Sequence, residues 1–134
     1  MEYVRDNENV SFPMPRPPID VTPFLGTWRN TNEKPYWVSG VRIQPLEDSL
    51  LIEVTGGTNG SPDEWGPTRT THLYGSSLES AAGGAFRASY DLGFCDVDLE
   101  ANINQGLLVV AQFIRMKDGS GRADRGLREF FHQV

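Results

Sequence analysis

Between Phe94 and Ile103 the chain alternates without a slip. Cys95, Val97, Leu99, Ala101 and Ile103 are apolar, and Asp96, Asp98, Glu100 and Asn102 lie between them. A period of two is the side-chain period of an extended strand; a helix repeats at about 3.6. An acidic face opposite an apolar one predicts a strand with one side in a core and the other in water. Asp96, Asp98 and Glu100 therefore read as a solvated face that gives solubility and guards against edge pairing, not as a catalytic carboxylate cluster. One such strand cannot cover its own apolar face, so the rest of the chain must supply its neighbours.

Those neighbours are legible as strands and turns. Phe24 to Asn30, Tyr36 to Pro45, Leu50 to Thr55, Thr68 to Tyr74, Ala85 to Asp91, Phe94 to Ile103, Leu107 to Met116 and Gly126 to Val134 read as strands. Turn residues punctuate them at Glu47-Asp48-Ser49, Leu92-Gly93, Asn104-Gln105-Gly106 and Lys117 to Arg122. Gly56 to Pro67 is a long loop, and Ser77 to Ala82 has room for one helical turn. The expectation is an all-β domain, an eight-stranded antiparallel up-and-down barrel over residues 24–134, which leaves no sheet edge exposed. Alternation points Trp28, Trp37, Val41, Ile43, Leu50, Ile52, Phe86, Tyr90, Leu99 and Phe113 inward.

Residues 1–23 differ. After a polar stretch come Pro13, Pro15, Pro17 and Pro18, which fix φ and remove backbone donors, so the segment is expected to be an extended arm. Either it is a tail, or Phe12 and Met14 pack on the barrel or on a second subunit, which makes a homodimer a candidate. The chain has 134 residues and a formal charge of −6, with no basic patch, which argues against a nucleic-acid partner. No segment has the length of a membrane span or the pattern of a signal peptide, so the expected address is the cytoplasm. The single cysteine, Cys95, cannot form an internal disulfide and reads as a buried thiol.

The segment Phe24-Leu25-Gly26-Thr27-Trp28-Arg29-Asn30 resembles the opening signature of the lipocalins and the wider calycin group, a Gly-x-Trp in the first strand. In that group an arginine of the last strand packs across the tryptophan. The resemblance places Arg128 there, as a cation–π contact sealing one end of the barrel. The chain lacks the disulfides and long helix of extracellular lipocalins, and Thr31 to Pro35 leaves no room for the helix pair of fatty-acid-binding proteins. The likeness is to compact bacterial calycin-like domains, some of which lie in natural-product pathways.

No nucleophile elbow, metal-ligand spacing or phosphate loop is present. Gly56-Gly57-Thr58-Asn59-Gly60 lacks the lysine and helix of a phosphate cradle. His72 and His132, the two histidines, lie on different strands without an acidic cluster, so neither a metal nor a cofactor is expected. What remains is the interior. Trp37, Tyr74, Tyr90, Phe113 and Arg115 are candidate ligand-binding residues, and Trp65, on the longest loop, is a candidate lid. Three functions are consistent with these residues. One is a barrel that binds a small, largely apolar or aromatic molecule. Another is a cofactor-free cyclase or isomerase acting on a biosynthetic intermediate, with His72 as general acid or base and Tyr74 or Tyr90 stabilising charge. The third is a partner-binding module that uses the arm. Whether the chain is an enzyme stays open at this point.

Overall fold

The computed structural model describes residues 18–57 and 59–134. Phe12, Met14 and the prolines up to Pro17 lie outside them. The described chain is nine strands in one antiparallel sheet: β1 (Gly26–Asn30), β2 (Val38–Leu46), β3 (Ser49–Gly56), β4 (Glu64–Arg69), β5 (His72–Gly75), β6 (Gly83–Asp91), β7 (Cys95–Asn104), β8 (Leu107–Met116) and β9 (Arg125–Gln133). Their spatial order is β4-β3-β2-β1-β9-β8-β7-β6-β5. Neighbours in this order are consecutive in sequence except β1 and β9, and β4 and β5, which follow each other along the chain, form the two opposite edges.

The expected count of eight is thus corrected to nine, and the reason lies at Thr70 and Thr71. Thr70 N–H donates to the Leu50 carbonyl on β3 at 3.0 Å, and Thr71 N–H donates to the Arg87 carbonyl on β6 at 2.8 Å. The segment read as one strand, Thr68 to Tyr74, changes partner between these two residues and is divided between opposite edges. The sheet curls until the edges face each other. Thr68 Oγ1 donates to the Ser89 carbonyl at 2.9 Å, and the Tyr90 hydroxyl lies 2.8 Å from the Gly66 carbonyl and 3.1 Å from that of Ile52. Among the described residues no backbone ladder joins β4 to β6. Pro67 has no N–H to give, and Gly66 turns the strand with φ +84°. The architecture is an open, curled half-barrel, not a closed barrel.

Inside the curl the alternation of β7 holds as read, with Cys95, Val97, Leu99 and Ala101 buried. The turn after it places Gln105 and Gly106 at φ +53° and +80°, the left-handed pair a two-residue hairpin needs. One end of the curl is closed by a 3-10 turn, Thr22–Phe24. Phe24 is fully buried and meets Phe86 edge to face at 5.2 Å. A Cβ on Gly83 would stand 2.5 Å from the Phe24 ring, so only glycine fits there. Asp20, at the foot of the expected arm, donates its N–H to Ala81 at 2.6 Å and accepts from Gly83 at 2.7 Å. Ser77 to Ala82 forms bends and no helix.

Two side-chain placements are corrected. Phe113 is 46% exposed on the outer face, not inside. Arg128 does not cross Trp28. On β9 the inward positions are Arg125, Leu127, Glu129 and Phe131, and Arg128 stands exposed between them. Trp28 is buried and donates its indole N–H to the Phe24 carbonyl at 2.8 Å instead. A last-strand arginine does lie over a tryptophan, but it is Arg125 over Trp37, with 4.8 Å from guanidinium to ring. Arg128→Lys is accordingly expected to leave stability within about 0.5 kcal/mol of wild type in urea unfolding, the range for an exposed site. A larger loss would place Arg128 in a desolvated contact.

Candidate functional site

The end of the curl opposite Phe24 gathers the polar and aromatic groups. Here β1 finishes at Asn30, β2 enters at Val38 and β9 starts at Arg125. The β2–β3 register shifts between Val38 and Gly40, so Trp37 and Val38 are both buried where strict alternation would bury one. The indole of Trp37 meets that of Trp65 edge to face at 5.9 Å, and Trp65 meets Tyr90 at 5.2 Å. Trp65 is not on the loop but on β4, 8% exposed, with its indole N–H donating to Ser61 Oγ at 2.8 Å. Arg125 caps the array. It covers the Trp37 ring and donates from Nη1 to the Tyr36 hydroxyl at 2.9 Å.

Against the backbone of Trp37 lies a carboxylate that reading from sequence missed. Glu129 is 8% exposed and accepts from Asn30 Nδ2 at 2.9 Å, Gln112 Nε2 at 2.8 Å, Val38 N at 3.1 Å and Trp37 N at 3.4 Å. These donors come from the β1 end, β8 and the start of β2, so one side chain ties three parts of the sheet. A signal was present: Leu127, Glu129 and Phe131 share a face by alternation, which puts an acid between two core residues. Burial pushes the Tyr90 phenol above its ordinary range, and its hydroxyl acts here as a donor to carbonyls. Burial, with the charge of Asp96 behind it, also raises the Cys95 thiol, which keeps it protonated and unreactive.

Of the residues singled out from sequence, Trp37, Trp65 and Tyr90 meet at this end, and the others do not. His72 and Tyr74 are on the outer face of β5, rings stacked at 5.8 Å. Arg115, also outside, pairs with Asp98 at 2.7 Å. The reason is common to all three: their strands carry the inward face on the residues between them, Leu73 on β5 and Ile114 on β8. The grooves around the molecule also lie outside. One of about 470 Å³ runs over β1 and β2 past Arg29, Ser39 and His132. Another, of about 350 Å³, crosses β5 to β9 past Tyr74, Arg87 and Arg128.

The outer acidic row is an ion-pair ladder. Arg87 pairs with Glu100, Arg115 with Asp98, and Lys117 with both Asp91 and Asp96 at 2.9 Å. The Arg115 hydrogen bond, aided by Ser89, lowers the Asp98 carboxyl, and Lys117 lowers Asp91. A folded-state value below the unfolded one stabilises above the unfolded value, about 3.9, and the gain is lost as pH falls through the folded one. Urea unfolding should therefore be flat from about pH 7 to 5 with respect to these groups and weaken below about pH 4. Asp98→Asn should remove part of that slope and cost at most about 1 kcal/mol at neutral pH, because the pair is half-exposed. A greater cost would mean Asp98 faces the core.

Among the described residues no group of three or more His, Cys, Asp or Glu is placed to hold a metal ion, and no helix is long and apolar enough to cross a membrane. Compared with protein-family models, curated proteins and solved structures, the chain matches none.

Proposed function

We propose that the chain binds one small, largely apolar or aromatic molecule at the Trp37 end of a calycin-type half-barrel. The observation that carries the reading is the convergence of Trp37, Trp65 and Tyr90 at the end of the fold where the buried polar cluster of Glu129, Gln112 and Asn30 holds the Trp37 backbone. Apolar walls with a few fixed polar groups are the usual make-up of a ligand site. The rings fill this end, so a ligand enters by displacing one of them. Trp65 is the one suited to move. It sits on an edge strand, beside Gly66 at φ +84°, with a register shift opposite between Glu53 and Thr55. The seam it borders is held by the side chains of Thr68 and Tyr90 instead of a ladder.

The calycin likeness rests on strand order and Gly-x-Trp alone, without the Arg128 contact, and a natural-product setting is proposed on that likeness. The cyclase alternative has less support: His72, its acid or base, stands on the outer face away from the rings. Native mass spectrometry of protein isolated from its own host tests the reading, with a carried small molecule as the expected result. A bare mass, together with tryptophan emission unmoved by millimolar aromatic probes, would overturn it.

A further inference from the structure

Among the described residues, two side-chain atoms inside the Trp37 end have no hydrogen-bond partner: the indole N–H of Trp37 and Oε1 of Gln112. The residues are 2% and 0% exposed. Buried polar atoms are almost always paired, so two at one end of the fold call for a common cause. Rotating the Gln112 amide does not remove the problem. Its Nε2 is 2.8 Å from a carboxylate oxygen of Glu129. A carboxylate accepts and does not donate, so the amide must turn its NH₂ toward it and leave its oxygen over. Asn30 cannot help, because Nδ2 already donates to Val38 O and Glu129, and Oδ1 accepts from Asn32 N.

The two residues share a neighbour in Glu129. The Trp37 backbone N lies at Glu129, while its ring lies under Arg125. Glu129 and Arg125 are inward positions of β9 with Leu127 between them, and Leu127 is in register with Gln112. Trp37 thus spans the stretch of the inner face between Glu129 and Arg125, to which Leu127 and its register partner Gln112 also belong.

The chemistry they ask for is narrow. Trp37 Nε1 only donates and Gln112 Oε1 only accepts. One hydroxyl answers both, its oxygen accepting from the indole and its proton going to the amide; a single water has the same two functions, and a ligand hydroxyl would take its place. An anion has no proton to give and would lie against the Glu129 carboxylate. An ammonium group cannot accept and would meet Arg125. A hydrocarbon leaves both atoms unpaired, which sites built for a hydroxyl discriminate against strongly. We infer that the ligand is a neutral molecule with an aromatic or apolar body and a hydroxyl, the hydroxyl seated between Trp37 Nε1 and Gln112 Oε1. This inference rests on the binding function proposed above and narrows it to a ligand class.

The test is titration with phenol and with toluene, followed at the indole N–H resonances of the three tryptophans, Trp37 being assigned from the signal lost in Trp37→Phe. Phenol is expected to move the Trp37 signal and to bind at least about 10-fold more tightly than toluene. Gln112→Met, which keeps the volume and removes the acceptor, is expected to abolish that preference, read as the ratio of the two affinities. Equal affinity for the two probes, or a preference that survives Gln112→Met, overturns the hydroxyl site and leaves the binding reading standing. If neither probe moves Trp37 up to its solubility, both fall. Should Gln112→Met not fold, the wild-type comparison decides: the Trp37 N–H must shift with phenol and not equally with toluene.

Discussion

Replacing Glu129 by Ala is expected to cost about 3–5 kcal/mol, a large part of the stability of a domain this size. The loss is not that of a surface acid. Asn30 Nδ2, Gln112 Nε2 and the backbone N–H groups of Trp37 and Val38 all give to this carboxylate. Truncation leaves each of them in a buried space without its acceptor, and an unsatisfied buried donor costs about 1–3 kcal/mol. Water entering the new cavity recovers part of that, which is why the expected cost is below the sum. Glu129→Gln keeps the volume but turns one acceptor into a donor facing donors, so it should fall between Ala and wild type. Urea unfolding gives the size, and amide exchange gives the place. Protection at Trp37 and Val38 should drop first, while the Phe24 end keeps its own. Stability near wild type would mean that the Trp37 end is wet and that Glu129 is not its anchor.

Where one face of a strand meets water and the other a core, the sequence is easy to read. β7 is the case: acids at Asp96, Asp98 and Glu100 left no second choice of register. β8 is the opposite case. Both of its faces carry apolar residues, and Val109, on the outer face, is itself buried at 7%. The inner face is Leu108, Val110, Gln112 and Ile114. Alternation in the sequence points Phe113 inward and makes Arg115, on the same face, a candidate for the barrel mouth; the structure puts that face outside. Alternation can set Gln112 beside Val110 and Ile114 but cannot name what it serves, because the partner, Glu129, is 17 positions away. The same limit hid the site: Trp37, Trp65 and Tyr90 were each legible as aromatic, but their meeting depends on a register shift in β2 and on the curl of the sheet.

The strand count failed for a related reason. Threonines at 68, 70 and 71 are good strand formers on either edge, and nothing in Thr68 to Tyr74 marks the step at which the chain leaves β3 for β6. Only the partners of Thr70 and Thr71 define it. The family likeness singles out Arg128, on a last strand read as starting at Gly126, so Arg125 lies outside the strand as read. Alternation alone would have favoured Arg125, since it shares its face with Leu127 and Phe131.

Trp28→Ala is expected to destabilise by about 3–5 kcal/mol, the range for a truncated buried indole. The Gly-x-Trp segment matters here for physical reasons that hold without Arg128. Trp28 is 2% exposed and sits in the strand that joins the two halves of the sheet, in register with Val41 on β2 and Gln133 on β9. Its indole N–H, 2.8 Å from the Phe24 carbonyl, ties the 3-10 turn to the sheet. That turn holds Phe24 against Phe86 and over Gly83, closing the end. Truncation therefore opens a cavity and releases the cover over it. Trp28→Phe separates the two effects. It keeps much of the apolar contact but leaves the Phe24 carbonyl unpaired, so about 1–3 kcal/mol is expected. The order Ala worse than Phe, Phe worse than wild type, with amide protection lost at Leu25 and Gly83, is the expected outcome. If Phe is as costly as Ala, the hydrogen bond outweighs the packing and the turn is what covers the Phe24 end. If both unfold with wild-type midpoints, the closure of the Phe24 end does not depend on Trp28.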